Sequence, residues 1–409
     1  MQNEQSLNFE PDRSLDWRER LLLKALKRIS HGQLELQLPS GAKHEFIGDQ
    51  AGPAARWVIR DANVFKRIIS RGDIGFAEAY MAGEWESPRL VELLRLLDLN
   101  RDAINNVQGG RWYSKVADWL LHNWQRRNTR SGSRGNIAYH YDLGNDFYRL
   151  WLDETMTYSS AVFDAPGQSL VDAQRNKYQR LIDMLELGPD DHVLEIGSGW
   201  GGFAIQAATQ TGCRVTSITL STEQLQEARR RAVAAGVAEQ VEFRLQDYRD
   251  VPETYDKIVS IEMFEAVGED FWPTYFKTVH DRLVPGGKAA LQVITINNED
   301  FPRYRKDVDF IQRYIFPGGM LPSPEVFAER VKEAGLSLEA QSFHGPDYAE
   351  TLRRWDYQVM ANRTAIQSQG YDERFMRMWH YYLAYCETGF DNKRTDVMQV
   401  LLERSSTEA

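Results

Sequence analysis

Cysteine is nearly absent: Cys213 and Cys386 are the only two in a chain of 409 residues. So low a number excludes a disulfide-built scaffold and a cysteine-based metal site, and it predicts a reducing compartment. Long apolar runs are lacking as well. No stretch approaches the roughly 20 apolar residues that a spanning helix needs. The first 17 residues carry Glu4, Glu10, Asp12 and Asp16 where a secretory signal would have its apolar core. Nor is there an excess of positive charge. The 49 Lys and Arg stand against 59 Asp and Glu, a net charge of −10, which argues against a nucleic-acid binder. What is present is ordinary for a globular protein, with 42% hydrophobic and 26% charged residues. At about 150 residues per domain the length predicts two or three domains, in a cytoplasmic protein with no metal-ligand spacing.

Residues 1 to about 100 read as a small α/β module. Leu34-Glu-Leu-Gln-Leu alternates with the period of a half-buried strand, and Trp57-Val-Ile-Arg has strand composition. Val64 to Ile69 opens a short helical pattern, and the glycine-punctuated stretch from Gly72 to Trp85 predicts a packed turn–helix–turn. Residues 111–134 differ in character. Trp112, Trp119 and Trp124 recur among Arg111, Lys115, Arg126, Arg127, Arg130 and Arg134. This segment reads either as a bilayer-surface contact or as an amphipathic helix buried against the next domain. The polar Asn128-Thr-Arg-Ser-Gly-Ser-Arg-Gly that ends it marks a boundary. The domains are therefore drawn as 1–127, a linker 128–137, and 138–409.

From about residue 190, strands alternate with helices. His192-Val-Leu-Glu-Ile, Arg214-Val-Thr-Ser-Ile-Thr-Leu, Val241-Glu-Phe-Arg-Leu, Lys257-Ile-Val-Ser-Ile and Ala289 to Ile296 are the strands. That alternation predicts an α/β fold with a doubly wound parallel sheet. A glycine turn follows the first strand, with Gly197, Gly199, Gly201 and Gly202 in the order G-x-G-x-G-G. It departs from the dinucleotide spacing G-x-G-x-x-G. Glu195 stands two residues before it, and Gln246 and Asp247 follow the third strand. Turn and acids together look like the S-adenosylmethionine site of a class I methyltransferase.

Further segments narrow the class: Tyr139-His-Tyr-Asp-Leu-Gly-Asn-Asp-Phe-Tyr, Met156-Thr-Tyr-Ser-Ser-Ala, Met263-Phe-Glu-Ala-Val-Gly, Tyr314-Ile-Phe-Pro-Gly-Gly and Arg377-Met-Trp-His-Tyr-Tyr. The set resembles the cyclopropane-fatty-acyl-phospholipid synthases over residues 70 to 402. The resemblance implies transfer of the methyl carbon of S-adenosylmethionine to a cis double bond of a phospholipid acyl chain. It also implies a lipid-engaging N-terminal domain, a homodimer, and an enzyme peripheral to the inner face of the membrane. By resemblance again, a bound bicarbonate removes the proton, held by a loop residue, a glutamate, a histidine and a tyrosine. Carried over, the glutamate is Glu265 and the tyrosine Tyr348. Two positions depart from the pattern: Ser160 replaces the usual loop cysteine, and Gln292 replaces the histidine. A backbone N–H contact survives the first change, whereas Gln292 holds an anion less strongly than a histidine that can carry charge.

Tyr158 and Ser159 are assigned to the methionine end of the cofactor, Glu195, Gly197 and Gly199 to the turn, Thr219 and Gln224 to the ribose, and Gln246 and Asp247 to the adenine. Capping by Ser221 or Thr222 is an equal reading for the ribose pair. His140 is either catalytic or structural. Trp379, Tyr381, Tyr382 and Tyr385 line an acyl tunnel or are plain core. The expected product is the cyclopropane, and a methyl- or methylene-branched chain is its rival. Methylation of a soluble small molecule and a non-catalytic lipid-binding role are the more distant alternatives.

Overall fold

The structure is a computed structural model, and it describes residues 16–105 and 143–406. The segment 111–134, the linker 128–137 and His140 lie outside the described residues. The chain divides into two compact units, residues 1–111 and 112–409.

In the first unit the alternation at Leu34 and Leu36 does what it predicts. β1 (His31–Gln37) turns both leucines into the core, and it lies between β2 (Lys43–Ile47) and β3 (Gln50–Ile59) in a sheet of order β2-β1-β3-β4, with β4 at Trp85–Glu86. Helix α1 (Trp17–Leu26) precedes the sheet, α2 (Asn63–Met81) joins β3 to β4, and α3 (Leu90–Leu99) follows. α2 runs well past the short helix predicted. Its two pieces meet at Gly72, whose φ of +56° breaks the helical path. The core is aromatic: Trp85 stacks on Phe76, meets the edge of Trp57, and donates its indole N–H to the Phe76 carbonyl at 2.9 Å.

The second unit is built on seven strands in the order β10-β11-β9-β8-β5-β6-β7. The predicted strands are β5 (His192–Ile196), β6 (Arg214–Thr219), β7 (Val241–Leu245), β8 (Tyr255–Ile261) and β9 (Leu283–Ile296), all parallel. β10 (Leu336–Phe343) and β11 (Thr395–Arg404) were not foreseen. They extend the sheet antiparallel beyond β9. Successive residues of β5 feed two cores: Leu194 and Ile196 point to one face, Val193 to the other. Helices α4 (Leu170–Leu185), α5 (Gly202–Thr211) and α6 (Thr222–Ala235) cover the Val193 face. The Leu194 face is covered by α7 (Trp272–Arg282) and α8 (Pro324–Glu333). Burial on both faces explains why the strands read as continuous apolar runs. Two long helices, α9 (Gly345–Ala361) and α10 (Glu373–Asp391), pack against each other.

The chain order places β5 beside both β6 and β8, so the strand sequence reverses there. Ligands of doubly wound sheets bind outside the carboxyl ends of the strands at that switch point. The glycine turn follows β5 directly. Gly201 has φ of +86°, and a Cβ there would stand 3.0 Å from the Phe243 ring. Gly201→Ala is therefore expected to destabilise the second unit by about 1–3 kcal/mol, read as a lowered midpoint in chemical denaturation. An unchanged midpoint would show that the turn tolerates a side chain.

Candidate active site

Several expected cofactor residues gather at the carboxyl ends of β5, β6 and β7. Gly197 and Gly199 have φ of +97° and +49°, and a Cβ on Gly199 would meet nothing within 4 Å. The turn is thus open at Gly199, while a side chain at Gly197 would press on Met263 at 3.2 Å. Glu195 is buried in β5, where its carboxylate accepts from the Ser217 hydroxyl of β6. Thr219 ends β6 and donates its hydroxyl to Gln224 Oε1 at 2.9 Å. Ser221 caps α6 by accepting from the Gln224 N–H at 3.2 Å. The capping reading of that segment holds, and Thr219 and Gln224 bond each other at the carboxyl end of β6. After β7, Gln246 donates to the Asp250 carbonyl at 2.9 Å. The Asp247 carboxylate is gripped by its own neighbour, accepting from Arg249 Nε at 2.8 Å and Nη2 at 2.6 Å. An open turn flanked by a buried acid, a hydroxyl–amide pair and a second acid fits S-adenosylmethionine.

The second cluster centres on a residue outside the expected set. Glu262 is the first residue after β8, and its φ of +49° is a conformation that non-glycine residues rarely hold. Backbone strain of this kind collects at functional sites. Glu262 Oε1 accepts from the Ser160 backbone N–H at 2.8 Å and from Gln292 Nε2 at 2.8 Å, and Oε2 accepts from the Tyr348 hydroxyl at 2.7 Å. Gln292 is aimed by its neighbours. It donates also to the Ser160 carbonyl at 3.2 Å, while its own Oε1 accepts from Gln399 of β11 at 3.0 Å.

These are three of the four groups that the family resemblance assigns to bicarbonate, and all three are already bonded to a carboxylate of the chain. Among the described residues, the expected set therefore does not fit a bound bicarbonate. The acid on which these donors converge is Glu262 and not Glu265. Glu265 stands three residues beyond Glu262 and, among the described residues, shares no hydrogen bond with Ser160, Gln292 or Tyr348. Its Oε1 accepts from the Ile294 N–H, and its Oε2 is buried without a hydrogen-bond partner. The sequence held a signal for Glu262: an acid at the carboxyl end of a parallel strand, in the same Ile261-Glu-Met-Phe-Glu run.

Burial raises the pKa of Glu262, opposed by the charge of Lys177 and by its three donors. Burial, and then the charge of Glu262, push Glu265 up to about 8. Burial first and Glu262 second also hold the Tyr348 phenol protonated, so it remains a donor. An aromatic wall closes this side. Tyr158 shares a 2.7 Å hydrogen bond with the Tyr382 hydroxyl and lies against Tyr148, Trp151 and Trp355. Trp379 touches Trp151 and Tyr382, while Tyr381 and Tyr385 pack on Phe310. Of the predicted stripe, Trp379 and Tyr382 therefore belong to the wall around Tyr158. Ser159 accepts a hydrogen bond from the buried Lys177.

This fold and this glycine turn define a class I S-adenosylmethionine-dependent methyltransferase. The mycolic acid cyclopropane synthetase family matches over residues 128–400, and the chain belongs to that family. It is 43% identical to the tuberculostearic acid methyltransferase UfaA1 of Mycobacterium tuberculosis over 347 residues, 83% of this chain and 81% of the relative. It is 34% identical to the cyclopropane-fatty-acyl-phospholipid synthase of Escherichia coli K12, over 85% of this chain and 87% of that one. Among solved structures, mycolic acid cyclopropane synthase CmaA1 complexed with SAH and CTAB superposes with a TM-score of 0.63 at 30% identity, covering 66% of this chain and 98% of its own. The protein is a transferase of the cyclopropane synthase type.

The buried acids carry a pH signature. Burial raises Glu195 from 4.5 to about 8, opposed by the Ser217 hydroxyl, and Glu265 reaches about 8 as well. A folded pKa above the unfolded one gives stability that is complete below the unfolded value and is lost as pH rises through the folded one. Glu195→Gln and Glu265→Gln are therefore expected to gain in melting temperature relative to the native protein as pH rises from 4.5 to about 8, and to keep that gain above it. A difference that stays constant with pH would contradict the burial of the charge.

Proposed function

We propose that the enzyme transfers the methyl group of S-adenosylmethionine to the cis double bond of an unsaturated phospholipid acyl chain, and that the product is branched, with Glu262 taking the proton. The observation that carries this reading is the convergence of Ser160, Gln292 and Tyr348 on the Glu262 carboxylate. The relatives support the substrate class: one is named for a phospholipid acyl chain and one for a methyl-branched fatty acid.

S-adenosylmethionine supplies an electrophilic methyl, whose bond to sulfur breaks as a carbon–carbon bond forms to one alkene carbon. A secondary cation is left on the other alkene carbon, faced by the rings around Tyr158. Two exits compete. Ring closure needs a proton to leave the added methyl while the cation is still on the neighbouring carbon. A 1,2-hydride shift instead makes the cation tertiary, and loss of a methyl proton then gives a methylene branch. In either exit the C–H electron pair forms the new carbon–carbon bond and the proton passes to a base. Glu262 is tethered by its chain and held at both oxygens, so it does not follow the methyl as a free small anion would. That restraint favours the hydride shift.

A phospholipid substrate places the enzyme at a membrane surface. Among the described residues no helix is long and apolar enough to cross a membrane. Peripheral binding at the cytoplasmic face through residues 111–134, and a homodimer, belong to this proposal, and vesicle co-sedimentation tests the binding.

The deciding experiment incubates the enzyme with labelled S-adenosylmethionine and vesicles of unsaturated phospholipid, then reads the acyl chains by mass spectrometry and proton NMR. Vinylidene protons are expected; cyclopropane ring protons would establish ring closure, and unlabelled lipid would overturn the substrate class. Glu262→Gln should lower turnover by about 10²-fold or more with cofactor affinity retained. A variant with native turnover would remove Glu262 as the base.

A further inference from the structure

Helix α4 sends two side chains, one turn apart, into the loop that carries Ser159 and Ser160. Gln174 Nε2 donates to the Ser159 carbonyl at 2.9 Å, and Lys177 Nζ donates to the Ser159 hydroxyl oxygen at 2.6 Å. The adjacent Tyr178 hydroxyl shares a 2.8 Å hydrogen bond with Thr157. The loop is thus clamped at Thr157 and at both polar groups of Ser159, immediately before the Ser160 N–H that meets Glu262.

Lys177 is the unusual member. It is 0% exposed, and lysine is almost never fully buried unless it is paired. Its hydrogen-bond partner is a neutral hydroxyl, and its ammonium lies 4.5 Å from the centre of the Tyr178 ring. Neither neutralises it. The acids that face it are Glu262 and Asp153. Glu262 in turn meets the donors Ser160, Gln292 and Tyr348 and the opposing charge of Lys177. A buried carboxylate becomes protonated unless donors or a cation oppose the burial.

We propose that Lys177 is the positioning residue of this site: it holds the Ser159–Ser160 turn in register and supplies the counter-charge that keeps Glu262 ready to accept a proton. The inference rests on Glu262 being the base. Electrostatics agrees in direction for both partners. Burial lowers Lys177 to about 7 against the pull of Glu262 and Asp153, and burial raises Glu262 against the pull of Lys177. Each group holds the other's charge.

The test is the pH profile of kcat/KM for the full-length enzyme, with labelled S-adenosylmethionine and unsaturated phosphatidylglycerol vesicles. Lys177→Met removes the charge and the donor, whereas Lys177→Gln removes the charge and keeps a donor for Ser159. Without the cation the Glu262 carboxyl titrates higher. Both variants should therefore move the acid limb upward by about one pH unit, lose roughly tenfold at neutral pH, and recover in alkali. Calorimetric binding of S-adenosylmethionine confirms that each variant is folded. A folded variant that loses activity equally at every pH, beside an inactive Glu262→Gln, overturns the role of Lys177 alone. Native turnover in Glu262→Gln overturns the base assignment and this inference with it.

Discussion

Three hydrogen-bond donors from distant parts of the chain meet on one carboxylate, and the rest of the site is arranged to make that meeting possible. Ser160 comes from the loop before α4, Gln292 from the middle of β9 and Tyr348 from the first turn of α9. Only the sheet brings them together. β8 ends at Ile261, so Glu262 emerges beside the switch point, and the Ile261–Gln292 register sets the glutamine next to it. The strained backbone of Glu262 is the local cost of aiming a side chain there, and the three bonds offset it.

Behind this contact lies a layer that the reaction does not touch. Arg180 of α4 donates to Gln399 at 3.3 Å, and Gln399 donates to Gln292, which leaves the Gln292 amide nitrogen facing Glu262. The same helix holds Ser159 through Gln174 and Lys177. One helix therefore supports two of the three donors. The turn that fits the cofactor follows β5, the strand beside β8. The glycine turn and Glu262 thereby lie at the carboxyl ends of adjacent strands, β5 and β8.

Much of this was legible in the sequence. The five parallel strands stand out because burial on both faces makes each a continuous apolar run, and the glycine turn declares itself by composition. The resemblance groups Ser160, Gln292 and Tyr348, and the fold does bring the three together. What they surround was not. Glu262 and Glu265 lie three residues apart in one motif, and the choice between them depends on a positive φ that the residue type does not announce. Lys177 was missed for a related reason: on a helix of mixed polarity a lysine reads as solvated, and its burial is decided by the loop that packs over it. β10 and β11 escaped because their place in the sheet is set by antiparallel pairing, β11 on β9 and β10 on β11, and not by their own pattern.

The central claim is that the chain's own carboxylate does the work for which the family resemblance implies bicarbonate. Initial rates in carbonate-free buffer, before and after added bicarbonate, address it directly. Turnover that is undiminished by removing bicarbonate and unmoved by restoring it is the predicted result. Turnover that falls on depletion and returns with added bicarbonate would contradict the account.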